Sequence, residues 1–108
     1  MTHEIRMKLE LLIKLDKAYT ECHWDYEEAL EYKNIREASR YAVIEDNINR
    51  KRKKVWEQIN DEYGVFAYWC LPKEIKEYYE NGISKNKYDR FNNYLNDLKE
   101  LGVELPRA

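Results

Sequence analysis

The side chains that could do chemistry in this chain are few and scattered. There are two histidines, His3 and His23, and two cysteines, Cys22 and Cys70. Cys22 and His23 are neighbours, but adjacent residues on a helix point about 100° apart and rarely bind the same metal. The sequence also lacks the Glu-x-x-His pair of diiron bundles and the Cys-x-x-Cys pair of zinc sites. It therefore predicts no metal site.

Catalysis is equally unsupported by the residue pattern. Only two serines are present, Ser39 and Ser84. No strand, Gly-rich loop and helix follow one another in the order that holds a nucleotide. Carboxylates are plentiful, but paired carboxylates on long helices are usually just solvated. We therefore expect a protein that is not an enzyme, with no catalytic residues and no cofactor.

The composition predicts that these side chains stand on helices. The 108 residues include only 3 Gly and 2 Pro, too few for the many tight turns of a sheet protein. With 44% hydrophobic and 37% charged residues, the chain is too apolar for disorder and too charged for a membrane protein. No signal peptide is recognisable at the start, so we expect a cytoplasmic protein with reduced thiols. Its length fits a single domain, 1–108.

Two long amphipathic patterns predict an antiparallel helical hairpin over residues 3–63. Apolar residues recur every three or four positions from 3 to 33 and again from 34 to 63. Asn34 is a good N-cap for the second helix. Asp25 carries a capping signal that could break the first helix, but we favour a continuous one. Each helix would be about 45 Å long, and the short connection makes the two antiparallel.

An apolar connector, 65–71, follows the hairpin. It is too short to assign by periodicity. We expect a buried connector that packs on the hairpin, with a short strand as the alternative. A protein that binds a partner or itself would bury tyrosines and tryptophans of the hairpin face or of this connector in the interface, because both residue types are enriched there. The residues of this possible interface are Tyr63, Phe66, Tyr68 and Trp69.

Two shorter helices are predicted in residues 72–102 and should pack on the hairpin. The first begins at Pro72 and ends at Asn81-Gly82. The second runs from 85 to 101, with Ser84 as its N-cap and Gly102 in a Schellman ending. The predicted fold class is therefore all-α, a long antiparallel hairpin with two shorter C-terminal helices.

A run of five consecutive basic residues, 50–54, is the sharpest charge feature. In a hairpin that turns near Asn34, residues whose numbers sum to about 68 face each other, so the run lies beside two lysines of the first helix. A basic patch attracts phosphates or acidic proteins. The alternative is a solvated helix flank, and the formal net charge of -2 is not typical of a dedicated nucleic-acid binder. The predicted patch comprises Lys14, Lys17, Arg50, Lys51, Arg52, Lys53 and Lys54.

Two charged residues interrupt the apolar face of the second helix, Glu45 and Arg52. A charge on a packed face is costly unless it is paired. The facing rule places Glu45 opposite His23 and Arg52 opposite Asp16. The sequence thus favours two interhelical pairs that fix the register. The alternative is that this part of the seam is an open surface where a partner docks.

Residues 72–103 carry short sequence motifs that resemble the helix-turn-helix of winged-helix regulators. These motifs are Lys73-Glu74-Ile75, Gly82-Ile83-Ser84-Lys85 and Leu98-Lys99-Glu100-Leu101-Gly102-Val103. The resemblance implies that the Gly-Ile-Ser turn redirects the chain and that the second helix enters the major groove. No strands for a wing follow, and the outward face of the second helix is acidic. The implied DNA-contacting residues are Lys85, Asn86, Lys87 and Arg90.

Taken together, the pattern favours a small non-enzymatic helical protein that binds a protein partner or associates with itself. Small regulators and inhibitors of phages and mobile elements are a class-level analogy. The alternative is a DNA-binding regulator that uses residues 72–102 and the basic run 50–54. We expect no membrane association and no bound metal.

Overall fold

The chain folds as a long helical hairpin with further helices packed on it. The computed structural model describes residues 1–86 and 93–106, and these ranges contain helices and no strand. The hairpin consists of α1, His3–Glu31, and α2, Ile35–Tyr63. The remaining elements are a 3₁₀ turn at Tyr68–Cys70, α3 at Lys73–Asn86 and α4 at Tyr94–Asp97. The predicted all-α class and the hairpin are confirmed.

Local capping explains where the hairpin helices begin. Thr2 Oγ1 accepts a hydrogen bond from the Ile5 amide at the start of α1. Asn34 Oδ1 accepts one from the Glu37 amide, so the predicted N-cap of α2 is confirmed. Because α1 continues through Asp25, the favoured continuous helix is also confirmed.

Three helical segments end at their C-termini with a residue that has a positive φ. Gly64 ends α2 with φ of 65°, and Gly102 has φ of 81°. At Gly102 the Val103 amide donates to the Leu98 carbonyl, which is the hydrogen bond of the predicted Schellman ending. The end of α1 uses Lys33 instead, with φ of 57°, a conformation that costs a side-chain-bearing residue free energy.

The predicted boundary at Asn81-Gly82 is wrong. The helix α3 continues through Gly82 to Asn86, so Ser84 lies inside a helix and is not the N-cap of a new one. Gly82 serves close packing instead, since a Cβ at this position would collide with the Ile13 side chain of α1. Of the predicted helix 85–101, residues 85 and 86 belong to α3, 87–92 lie outside the described part, and 93–101 form α4 and the turns after it.

Two groups of buried side chains fill the seam between α1 and α2. One lies at the open end, where the connector and α3 add to it, and contains Ile5, Leu9, Leu12, Val55, Ile59, Leu71 and Ile75. The other lies nearer the turn, where α4 and the chain after it add to it. It contains Leu15, Ala18, Cys22, Ile44, Ile48, Tyr94, Leu98 and Val103.

The connector and α3 lie on one face of the hairpin, and the chain from α4 onwards lies on the opposite face. Trp56 of α2 packs edge-to-face against Tyr68 of the connector and Tyr79 of α3. Asn47 of α2 donates to the Glu104 carbonyl of the C-terminal segment, 93–106. Nine residues separate Trp56 from Asn47, which is two and a half helical turns, so these contacts point in opposite directions.

Candidate interaction surfaces

Both polar pairs of the hairpin seam are formed. His23 Nδ1 lies 2.7 Å from Glu45 Oε1, and Arg52 Nη2 lies 2.9 Å from Asp16 Oδ1. Each pair joins α1 to α2 in the register that the facing rule predicts. These pairs tie the two helices together where the apolar pattern of α2 is interrupted.

The imidazole of His23 is held between two carboxylates. Besides Glu45, it contacts Glu27, whose Oε1 lies 3.0 Å from His23 Nε2. The rings of Tyr19 and Tyr26 lie 6.2 Å and 6.3 Å from the imidazole on either side of it. The hydrogen bond to Glu45 raises the pKa of His23, and the negative charges of Glu45 and Glu27 raise it further, while partial desolvation opposes them.

Arg52 belongs to the seam and is largely withdrawn from the basic run. Its side chain is only 23% exposed and that of Asp16 27%. Its guanidinium lies 5.4 Å from the ring centroid of Tyr19. Among the described contacts its Nε is buried without a hydrogen-bond partner. Arg52 is therefore held by the fold and presents little charge to a partner.

The predicted basic patch is divided by the C-terminal segment. Lys14 and Lys17 line a cavity of about 720 Å³ between α1, α3 and the turns after α4. Arg50, Lys51 and Lys54 line a different cavity of about 430 Å³ on α2. The two cavities share no hairpin residue, because the C-terminal segment packs over the seam between them.

Acidic groups also offset these basic side chains. Asp97 and Glu100 line the first cavity, Glu104 lines the second, and Arg50 pairs with Asp46 at 3.0 Å. The exposed Lys53 remains on the outside of α2. The charge that the run offers to an anionic partner is thus smaller than the sequence suggests.

The connector presents two of its aromatic residues to solvent. Phe66 is fully exposed and Trp69 is 76% exposed. Tyr63 and Tyr68 are instead partly buried against the open-end core. The expectation of a buried connector is therefore wrong for Phe66, Trp69 and Cys70, which are exposed, while Tyr68 is partly buried and Leu71 is buried. The 3₁₀ turn at Tyr68–Cys70 directs Tyr68 inward and leaves Trp69 and Cys70 outside.

A stripe of partly exposed side chains runs along α1 in the turn half. Helical spacing places Tyr19, His23, Tyr26 and Leu30 on one side of the helix, next to Glu45 of α2. We call these five residues the uncovered seam. Sequence reasoning found its polar members, His23 and Glu45; Tyr19 also packs partly against the core cluster near the turn.

The C-terminal segment leaves this stripe free. It binds the other side of the hairpin, where the Tyr94 hydroxyl donates to Asp25 Oδ2 at 2.7 Å and Asn47 donates to Glu104. His23 precedes Asp25 by two residues, and Glu45 precedes Asn47 by two. Two residues on a helix turn through 200°, so the uncovered seam faces away from the C-terminal segment.

The residues implied as DNA contacts do not begin a recognition helix. Lys85 and Asn86 lie in the last turn of α3, and the Asn86 amide donates to the Gly82 carbonyl at 2.7 Å. Lys87 and Arg90 fall outside the described residues. The turn that the winged-helix resemblance implies at Gly82 is absent, because α3 continues through it.

The two thiols occupy contrasting environments. Cys22 is buried beside Tyr41 and Tyr94, and burial raises its pKa to about 11, which makes it a poor nucleophile. Cys70 is exposed in the connector.

Searches of the described residues for other site types found none. No group of three or more His, Cys, Asp or Glu that could hold a metal occurs in 1–86 or 93–106. Within the same ranges, no helix has both the length and the apolar character that spanning a membrane requires. Comparison with protein-family models, curated proteins and solved structures finds no match for this chain.

Proposed function

We propose that this protein is a non-enzymatic binding protein that contacts another protein chain through its connector. The observation that carries the proposal is the exposure of Phe66 and Trp69, two large aromatic side chains on a short segment. Aromatic residues, Trp above all, dominate the binding energy of protein interfaces. Two neighbouring exposed aromatics make a small hydrophobic anchor rather than a scattered surface residue.

The backbone that carries these two side chains is held between them and after them. Tyr68, between them, packs on Trp56 and Tyr79 and donates its hydroxyl to Glu80 Oε1 at 2.6 Å. Leu71 is buried. A pre-formed anchor loses little conformational entropy on binding, so more of the contact energy appears as affinity.

The DNA-binding alternative has less support. Arg52 is paired in the seam, Arg50 is paired with Asp46, and the segment implied as helix-turn-helix begins as one helix through Gly82. A duplex-binding assay at two salt concentrations tests it, because phosphate contacts weaken steeply with salt.

The cellular setting belongs to the same proposal. A small binding protein of this kind fits the cytoplasmic regulators and inhibitors of phages and mobile elements, by analogy of class.

Affinity capture with a matched surface control tests the connector. The tagged chain is compared with the double variant Phe66→Ser/Trp69→Ser and with Tyr32→Ser, an aromatic residue that is 75% exposed at the turn. We expect the partners identified by mass spectrometry, the untagged chain included, to be lost only with the connector variant. If the connector variant captures the same proteins as the wild type, the proposal is overturned.

A further inference from the structure

We propose that the cavity of about 720 Å³ between α1, α3 and the C-terminal segment binds a short peptide with apolar side chains and two uncapped ends. Among the described residues, none of the connector lines this cavity, so the inference stands apart from the proposed function. The volume falls within the roughly 300–1,000 Å³ of sites that hold drug-sized ligands, a size class that includes tripeptides.

The charged groups around the cavity favour a ligand that carries both signs of charge. Two of the carboxylates stand on the C-terminal segment, whereas all three lysines stand on α1 and α3. A simple anion would share the cavity with the carboxylates, whereas a zwitterion places its carboxylate beside lysines and its ammonium beside acidic groups. The charged lining residues are Lys14, Lys17, Lys85, Glu10, Asp97 and Glu100.

These opposite charges are not paired across the cavity. Neither Lys14 nor Lys85 has a carboxylate oxygen within 4 Å among residues 1–86 and 93–106. In the same ranges, neither Asp97 nor Glu100 has a cationic nitrogen within that distance. A bound peptide therefore has a charged group available for each of its ends.

The remaining lining suits the body of a peptide. Ile13 of α1 and Leu101 of the C-terminal segment supply apolar surface for side chains. Asn81 of α3 carries an amide that can donate a hydrogen bond to a peptide carbonyl and accept one from a peptide N–H. This combination of apolar and amide groups between two signs of charge matches a short peptide better than it matches a phosphate or a metal ion.

The walls of the cavity are fixed by contacts within the fold. Gly82 packs against Ile13, and the Tyr78 hydroxyl donates to Glu10 Oε1 at 3.0 Å, so α3 is held on α1. On the other wall, Leu98 is fully buried in the core near the turn. A cavity with fixed walls loses little conformational entropy when a ligand binds.

Nuclear magnetic resonance of the isotope-labelled full chain tests the site with the tripeptide Ala-Leu-Ala as the probe. We expect the backbone amide signals of Ile13, Asn81 and Leu101 to shift as peptide is added, while the indole signal of Trp69 in the connector stays in place. A chain whose cavity signals do not move at about 10 mM peptide, where even weak complexes are populated, overturns the proposal.

Capped peptides test the role of charge. Acetylation of the amino end and amidation of the carboxyl end each remove one charge from Ala-Leu-Ala and leave its body unchanged. Each modification should weaken binding about two- to fivefold, because ion pairs that remain partly in water contribute modestly. Equal affinities for the three peptides would overturn the proposal, and so would tighter binding of inorganic phosphate than of the unmodified peptide.

Variants assign each peptide end to its wall. Asp97→Asn/Glu100→Gln should reduce the preference for the unmodified over the acetylated peptide, and Lys14→Met/Lys85→Met should reduce the preference over the amidated one.

The matched controls are Glu104→Gln and Lys54→Met, which change the same kinds of charge at the second cavity and should keep both preferences. All the substituted side chains are exposed or half-buried, so circular dichroism should show an unchanged helix content. Preferences that survive in both cavity variants, or that the controls lose equally, would place the peptide elsewhere and overturn the proposal.

Discussion

The two halves of the hairpin are built differently. At the open end the seam is apolar, and α3 and the connector close it from one face. Towards the turn the seam includes the pair of His23 and Glu45, and among residues 1–86 and 93–106 the C-terminal segment closes it from the opposite face. An apolar seam provides stability through buried area, whereas a paired polar seam provides register and leaves a surface that water or a partner can reach.

Core truncation is expected to have the largest effect. Leu12 is fully buried in the apolar half, so Leu12→Ala should lower the free energy of unfolding by about 2–5 kcal/mol, measured by urea denaturation. Leu30→Ala in the uncovered seam should cost less than about 1 kcal/mol, measured at low protein concentration, because the side chain is already exposed. Similar losses for the two variants would contradict the contrast between the halves.

Breaking the pair where the two halves meet should have an intermediate effect. Asp16→Ala leaves the largely buried Arg52 without its carboxylate and should cost about 1–2 kcal/mol, less than a fully buried pair because both side chains retain some solvent. Asp46→Ala breaks the exposed pair with Arg50 and should cost under about 0.5 kcal/mol. Thermal or urea unfolding of both variants measures the difference, and equal losses would mean that the seam pair contributes no more than a surface pair.

At the turn a substitution should stabilise the fold. Lys33 has φ of 57°, where glycine is unstrained, so Lys33→Gly should raise the free energy of unfolding by about 0.5–1 kcal/mol. Lys33→Ala keeps the backbone strain and serves as the control. A Gly variant no more stable than the Ala variant would show that the turn tolerates this conformation without cost.

The smallest expected effect is a pH dependence confined to the turn half. The raised pKa of His23 means that the protonated imidazole stabilises the folded state. This contribution is complete below the ordinary pKa of 6.5 and is lost as the pH rises through the raised value. Urea unfolding from pH 6 to 8, below the range in which an unfolded thiol ionises, should show the decline in the wild type and in His3→Gln, but not in His23→Gln. A decline that persists in His23→Gln would assign it to another group.

Sequence reasoning was most successful for features determined by local residues. Helix periodicity and the capping side chain of Asn34 predicted the hairpin, and the short turn placed Glu45 opposite His23 and Arg52 opposite Asp16. Reasoning from turn chemistry failed at Gly82, which has the sequence of a helix end but lies inside α3. A Cβ there would collide with the side chain of Ile13, a residue nearly seventy positions earlier that no local pattern could identify.

The candidate surfaces divide in the same way. The residue types alone indicated that aromatic and basic side chains were candidates for binding. Which of them are accessible depended on packing: Tyr68 turned into the open-end core while Phe66 and Trp69 stayed outside, and Arg52 entered the seam.

The sequence by itself thus determined the two hairpin helices, their antiparallel pairing and the register of the seam, because these depend on spacing along one chain. Only the tertiary structure decided that α3 and the C-terminal segment lie on opposite faces and leave Tyr19, Tyr26 and Leu30 accessible. Docking of a short helix is set by complementary shape between residues distant in sequence, and periodicity carries no information about such contacts.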